Sequence, residues 1–265
     1  MKKEEINISS DISFPKDAHV DLIKIENSSF WFKHRNKILE SVIKNYPFDG
    51  DFADIGGGNG FQLMKIAELN KLNKNILIEP SKQGCINAKK RKIKEVHNVT
   101  FENFNFIEYN LNGIGLFDVL EHIENDVEFL SKLLNKLKKG SRIYVTVPAH
   151  EFLWSDVDPY GGHFRRYNKK MVKNLTNKLD ANLEYFSYFF SYLLPISFIL
   201  RALPYKLGRR IPKEDLINQE KKQHSPKGIT KKIFDFFERI ELKKIETSRV
   251  KFGASCLFVL KKTKN

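Results

Sequence analysis

The sequence predicts an α/β fold: a doubly wound, mostly parallel sheet, with a helical cap before it and a helical insertion late in the chain. Three observations carry that expectation. Between residues 51 and 148, short β-branched or apolar runs alternate with helical patterns. The first strand-like run leads into a glycine loop, Asp54–Gly60, and the second ends on an acid, Glu79. The chain has 265 residues and 41% hydrophobic content, enough for a real core, which excludes wholesale disorder.

Residues 1–24 are polar, mixed and expected to be irregular. From Ser29 to Asn45, Phe30, Trp31, Ile38, Leu39 and Val42 fit one face of a helix. Pro47 and Asp49-Gly50 then punctuate the chain. Asp51–Ile55 reads as a strand, Phe61–Leu69 as a helix, Asn75–Glu79 as a strand and Lys82–Lys92 as a basic helix. Val99–Glu102 and Gly113–Phe117 read as short strands. Asn125–Lys138 is an amphipathic helix with Val127, Leu130, Leu134 and Leu137 on one face. Asn125 with Glu128 suggests a capping box, and Gly140 a stop. Arg142–Val147, closed by Pro148, is a β-branched strand. Lys169–Leu179 is expected to be helical and Leu183–Tyr188 extended. Residues 185–200 are charge-free but broken by Ser and Pro. A polar stretch, Pro212–Gly228, precedes a helix near Ile229–Arg239, and Ala254–Leu260 is a closing strand. A single domain over residues 1–265 follows: a cap at 1–50, a cofactor-binding half at 51–148, and a substrate-side half at 149–265 with its insertion at about 189–250.

Asp54, Gly56, Gly58 and Gly60 fit D-x-G-x-G-x-G at the end of a strand. Glycines permit the sharp turn and let a ligand lie against the backbone. The helix that follows offers its N-terminus to polar ligand groups. A nicotinamide-binding loop would place its third glycine at 61, where this chain has Phe61. Glu79 stands where an acid accepts hydrogen bonds from ribose hydroxyls. The plain alternative for the glycines is an ordinary strand-to-helix turn.

These motifs, with FDVLEHI at 117–123 followed by a helix, Lys-Gly and a strand ending Val-Pro, resemble the class I S-adenosylmethionine-dependent methyltransferases. FWFKHRN at 30–36 and LWSDVDPYGGHFRRYN at 153–168 resemble a bacterial subgroup linked to cell-surface glycan or lipid-linked sugar pathways. That subgroup is akin to the ubiquinone-biosynthesis O-methyltransferases. The resemblance implies a Rossmann-like sheet of seven strands, the last antiparallel, and S-adenosyl-L-methionine as cofactor. It implies that Asp54, Gly56 and Gly58 line the cofactor loop and that Glu79 holds the ribose. Asn103 falls near the adenine position, where the family usually has an acid, and Phe117 near the methionine moiety. Arg35 matches an arginine that pairs with the cofactor in the quinone relatives, a sound partner for a carboxylate. Trp31 beside it fits a lid over the acceptor.

Methyl transfer from a sulfonium needs alignment and a destination for the acceptor's proton. The candidates are Asp118, Glu121, His122, His150, His163 and Tyr167; His163, Asp118 and Tyr167 are taken as the catalytic set. His163 can take a proton near neutral pH, and Arg165 and Arg166 can clamp an anionic acceptor. The plain alternative is that these residues tie down their own loop. Asp118-x-x-Glu121-His122 resembles the E-x-x-E-H pattern that binds a divalent metal in small-RNA 2′-O-methyltransferases and some quinone O-methyltransferases. Metal-free relatives share the pattern, and no metal is expected.

The expected function is O-methylation of a small or lipid-linked acceptor, a sugar or quinone-type intermediate. The alternatives are an RNA methyltransferase and, in another class, a non-catalytic cofactor-binding regulatory protein. The net charge of +14 is concentrated: residues 201–265 hold 18 Lys/Arg against 7 Asp/Glu. An anionic partner fits that tail, either headgroups or nucleic acid, and no RNA-binding motif accompanies it. The aromatic run feeding into Arg201, Lys206, Arg209 and Arg210 suggests either a packed lid or a membrane-interface element across 185–210. Two cysteines, Cys85 and Cys256, no apolar leader and no apolar run of spanning length point to the cytoplasm, with peripheral contact at the inner face of the membrane.

Overall fold

The computed structural model describes residues 23–212, 215 and 228–264. Most of the stretch expected to be irregular, 1–24, and nearly all of the polar stretch 212–228 lie outside the described residues. The strands are β1 (Asp51–Ile55), β2 (Asn75–Ile78), β3 (Glu95–His97), β4 (Leu111–Phe117), β5 (Arg142–Pro148), β6 (Ala181–Phe189) and β7 (Ser255–Lys262). They form one sheet in the order β3-β2-β1-β4-β5-β7-β6. Strands β1 to β5 run parallel, and β7 lies antiparallel between β5 and β6. The expected doubly wound sheet with an antiparallel last strand is therefore present.

Sequence explains the middle of the sheet. A parallel strand covered on both faces must be apolar throughout. Ile76, Leu77 and Ile78 of β2 and Ile143, Tyr144 and Val145 of β5 are all fully buried. Each such aliphatic side chain contributes about 1.5–3 kcal/mol by leaving water. Around the sheet lie α1 (Phe30–Asn45), α2 (Phe61–Leu69), α3 (Lys82–Lys90), α4 (Asp126–Asn135), α5 (Val157–Gly161) and α6 (Lys169–Thr176). Between β6 and β7 come three consecutive helical stretches, here α7: Leu193–Ser197, the π-helical Phe198–Ala202 and Leu203–Lys206. The chain then enters α8 (Gly228–Thr247), which packs along α1.

The caps follow local chemistry. Ser29 accepts from the Phe32 N–H at the start of α1, and Asn168 from Met171 at the start of α6. The expected box at α4 forms with one variation. Asn125 Oδ1 accepts from the Glu128 N–H at 3.3 Å, but the Glu128 carboxylate returns to the Asn125 side-chain amide at 2.9 Å rather than to its backbone.

One strand was misplaced by the sequence pattern. The third strand is Glu95–His97, and 99–102 lie in turns. The strand sits at the sheet edge, half-buried, with polar ends, so it carries little apolar signal. The apolar residues that suggested a strand serve a loop instead: Phe101 is buried edge-on against Phe129 of α4 at 4.6 Å. The charge-free run at 185–200 is also divided. Residues 185–189 are the buried end of β6, and α7 takes up the rest from Leu193.

Candidate active site

In a doubly wound sheet, ligands bind beyond the carboxyl ends of the strands, where the strand order reverses. Here that point lies between β1 and β4. Gly56, Gly58 and Gly60 follow β1 with φ of +68°, +54° and +72°. Side chains rarely adopt this left-handed region, so the alternation of glycines is a backbone requirement. Gly84, on α3, faces the same loop: a Cβ there would lie 2.9 Å from the Gly58 carbonyl.

Glu79, just beyond β2, is buried and accepts from Gly58 N at 2.8 Å and from Ser81 N at 2.7 Å. Burial nevertheless pushes its carboxyl above the usual range, against the pull of those two bonds. Each oxygen keeps a second lone pair for a ligand hydroxyl. Asp54, at the end of β1, is fully buried, and neither carboxylate oxygen has a hydrogen-bond partner. Burial pushes it up to about 8, with Arg35 pulling the other way. Arg35, from α1, is also buried; its guanidinium pairs with Asp118 and lies 4.3 Å over the Trp31 ring. Trp31 in turn stacks on Phe190 at 5.4 Å.

Asp118 is held at φ +57°, a conformation that Asp tolerates better than most residues. Its N–H donates to the Thr146 carbonyl, and its Oδ1 accepts from the Thr146 hydroxyl at 3.1 Å. Phe117, the preceding residue, is buried and folds back over Gly115, whose missing side chain leaves it room. Asn103 is exposed in the turn after β3, with its N–H on the Thr100 carbonyl.

A second group adjoins Asp118 along the chain. Glu121 is buried, one of its oxygens has no hydrogen-bond partner, and burial pushes it up to about 8. The His122 ring meets the His163 ring edge-on at 4.8 Å. Burial, followed by the neighbouring His163, takes His122 down to about 4, so it is neutral at pH 7. His163 Nδ1 lies 2.9 Å from Asp158 Oδ1. Asp158 is fully buried and also accepts from Arg166 at 2.7 and 3.0 Å and from Ser155 N at 2.9 Å. Burial opposes its charge, but His163 and Arg166 outweigh that and hold it below its ordinary value. With Nδ1–H given to Asp158, the lone pair of a neutral His163 sits on Nε2. Glu121, His122 and His163 place one ligand atom each within 4.8 Å of one another.

The structure thus pairs Arg35 with Asp118, sets Asp54 and Glu121 within electrostatic reach of Arg35, and gathers Glu121, His122 and His163. The other expected acceptor residues are engaged in the fold. Arg166 is tied to Asp158, and Arg165 bonds the Ile123 carbonyl at 3.1 Å and pairs with Asp126 at 3.0 Å. Tyr167 is fully packed, its hydroxyl on the Leu120 carbonyl and on Asp126 at 2.8 Å. Its neighbourhood is that of a strut beneath the loop, and Arg165 shares it.

Sequence reading missed the closure of the glycine loop. Glu26, upstream of α1, is buried and bonds Arg91 at 2.6 Å and Asn59 at 3.1 Å; Asn87 joins Asn59 at 2.9 Å. A polar segment with no periodicity gave no signal for this. Thr146 was missed as well, being one of several β-branched residues in a strand.

An adenosyl cofactor fits this donor set. The glycine loop leaves the backbone open, Glu79 keeps acceptor capacity, and the orphaned Asp54 carboxylate is matched by a ligand ammonium. A cofactor carboxylate is matched by Arg35.

No family model matches the chain, and no curated protein matches its sequence. Solved structures share its fold. The plantazolicin methyltransferase BpumL, in complex with SAH and a triazolic desmethylPZN analog, superposes with a TM-score of 0.57 at 15% identity, over 94% of this chain and 95% of that one. An S-adenosylmethionine-dependent methyltransferase from Clostridium acetobutylicum gives 0.56 at 11% identity, over 94% and 98%. The [4+2]-cyclase SpnF gives 0.51 at 15% identity, over 89% and 83%.

Proposed function

We propose that the chain is an S-adenosylmethionine-dependent methyltransferase that transfers the methyl group to an oxygen of a small or lipid-linked acceptor, such as a sugar or quinone-type intermediate. The observation that carries this reading is the pairing of two groups at one end of the sheet. The glycine loop with Glu79, Asp54 and Arg35 suits the cofactor. The Asp158–His163 pair, linked to it through His122, Glu121 and Asp118, suits an acceptor hydroxyl. The likeness to methyltransferases with SAH bound supports the cofactor; SpnF shows that this fold also hosts other chemistry.

When bound, the cofactor supplies a methyl group on an activated sulfonium. Glu79 would hold the ribose hydroxyls, and Arg35 and Asp54 would hold the amino-acid end. His163 Nε2 would take the proton of an acceptor hydroxyl, leaving its oxygen free to accept that methyl group. Asp158 stabilises the resulting imidazolium, and Arg166 keeps Asp158 ionised. Trp31 and Arg35 cover the site from α1.

The convergence of Glu121, His122 and His163 favours a second reading of the same site. These three would hold a divalent cation of the kind that accepts mixed carboxylate and imidazole ligands, and it would acidify the acceptor hydroxyl. The test is activity with radiolabelled cofactor on candidate acceptors before and after chelation. Proton transfer at His163 predicts full activity in chelator. Loss of activity, with rescue by one divalent ion, would replace that role with metal ligation.

A further inference from the structure

Two helices between β6 and β7 turn apolar side chains outward at helical spacing. Along α7 and its C-cap these are Ile196, Ile199, Leu200, Leu203 and Leu207, at i, i+3, i+4, i+7 and i+11, with exposures of 37–69%. Along α8 they are Ile229, Ile233, Phe236, Phe237 and Ile240, at i, i+4, i+7, i+8 and i+11, with exposures of 42–77%. The inward side of α8 is mixed: Glu238 and Glu241 are buried against α1 and the start of α7, Ile245 is buried with them, and Phe234 and Leu242 are half-buried. A water-facing helix usually keeps its outer side polar, and here that side carries an apolar stripe. Tyr192, which leads into α7, packs on Phe234 at 5.2 Å and on Phe237 at 5.8 Å, so the two helices are neighbours.

Charge accompanies the stripes. Lys206, Arg209 and Arg210 cluster at the end of α7, and Lys231, Lys232 and Arg239 lie along α8, all exposed. Among the described residues of 193–212 and 228–240, the only acids are Asp235, bonded to Lys231 at 2.6 Å, and the buried Glu238. Among the described residues, no helix is long and apolar enough to cross a membrane.

We propose that this face seats on an anionic bilayer surface, α7 and α8 lying in the interface with their Ile, Leu and Phe side chains below the headgroups and their cations at lipid phosphates. The charge argues for lipid over a protein partner or a second copy of the chain, whose own face would be equally basic. The face is tied to the catalytic loop. Phe198 of α7 packs on Phe152 at 6.1 Å, and the Ile211 N–H donates to Asp156, two residues from the Asp158 that holds His163. Bilayer contact therefore sits beside the proposed acceptor site, as a lipid-linked acceptor requires; the docking itself does not depend on the catalytic reading.

The test is flotation with phosphatidylcholine vesicles containing phosphatidylglycerol, and with phosphatidylcholine alone. The protein is expected to float with the anionic vesicles at low salt and to be released at about 0.5 M salt. Lys206→Gln with Arg209→Gln should lower the partition coefficient roughly thirtyfold. Ile199→Glu with Leu200→Glu, both at exposed positions, should abolish flotation while circular dichroism and cofactor binding stay unchanged. Failure to float with anionic vesicles at low salt would overturn the proposal, as would equal binding to both vesicle types. So would self-association in sedimentation that Ile199→Glu and Leu200→Glu abolish without flotation ever being seen.

Discussion

Asp54 carries a cost that the proposed cofactor would relieve. A buried carboxylate with neither oxygen bonded costs free energy unless it stays protonated or meets a cation. With its pKa near 8 in the folded chain against 3.8 ordinarily, the folded state holds a proton that the unfolded state has lost. Its contribution to stability therefore falls as pH rises from about 4 to 8. Glu121, raised to about 8 by burial, adds to the same slope. Thermal melts of the ligand-free protein should decline over pH 5–8, and Asp54→Asn should flatten that decline; an unchanged slope would remove Asp54 from the account. If the cofactor ammonium settles against Asp54, its proton leaves. Titration calorimetry at pH 7 in buffers of different ionisation enthalpy should then show proton release, absent in Asp54→Asn. His163 gives the catalytic counterpart. His163→Ala should lower turnover about 10²–10⁴-fold while cofactor affinity hardly moves. Equal loss in both would mean that His163 supports the fold of its loop rather than the chemistry.

At the scale of elements, the joint between α1 and α8 is held by buried polar groups. Glu241 accepts from His34 Nε2 at 2.8 Å, from Phe190 N at 2.8 Å and from Ser191 N at 2.7 Å. Burial opposes its charge, yet those bonds win and hold its pKa below the ordinary value. A depressed folded pKa means stability that is present above about pH 4.5 and lost as pH falls through the folded value. Phe190 is held at φ +57°, a costly conformation for an aromatic residue, at the joint that also supports Trp31. Glu241→Ala should cost about 3–5 kcal/mol in denaturant unfolding, because it leaves buried donors unpaired. A loss under 1 kcal/mol would show that the joint is not load-sharing. This joint was illegible in the sequence: two of its buried positions are the acids Glu238 and Glu241, while Ile229, Ile233, Phe236, Phe237 and Ile240, which carry the hydropathy of the helix, are exposed. By contrast, β1, β2, β4 and β5 were legible because strands buried on both faces carry short, mostly apolar runs. The glycine loop was legible because its φ values admit little else. Arg165, Arg166 and Tyr167 were readable as a polar cluster. Whether such a cluster faces a ligand or its own backbone depends on contacts to Asp126 and Asp158 that no local pattern encodes.

Across the whole molecule, the net charge of +14 acquires a place. Its excess in residues 201–265 includes the exposed cations that border the apolar stripes of α7 and α8. The sheet puts the glycine loop on one side of the β1–β4 reversal and the His163 loop after β5, so a single end of the fold would serve both proposed roles. Because the fold is shared by methyltransferases and by a cyclase, cofactor binding by these residues is the claim on which the catalytic reading stands. The most direct measurement is titration calorimetry of the purified chain with S-adenosylhomocysteine, alongside a nicotinamide dinucleotide, for the wild type and Glu79→Ala. The account predicts one saturable site for S-adenosylhomocysteine, weakened by about 1.5–3 kcal/mol in Glu79→Ala through loss of charge-assisted hydrogen bonds to ribose. No binding of S-adenosylhomocysteine, or tighter binding of the dinucleotide, would contradict it.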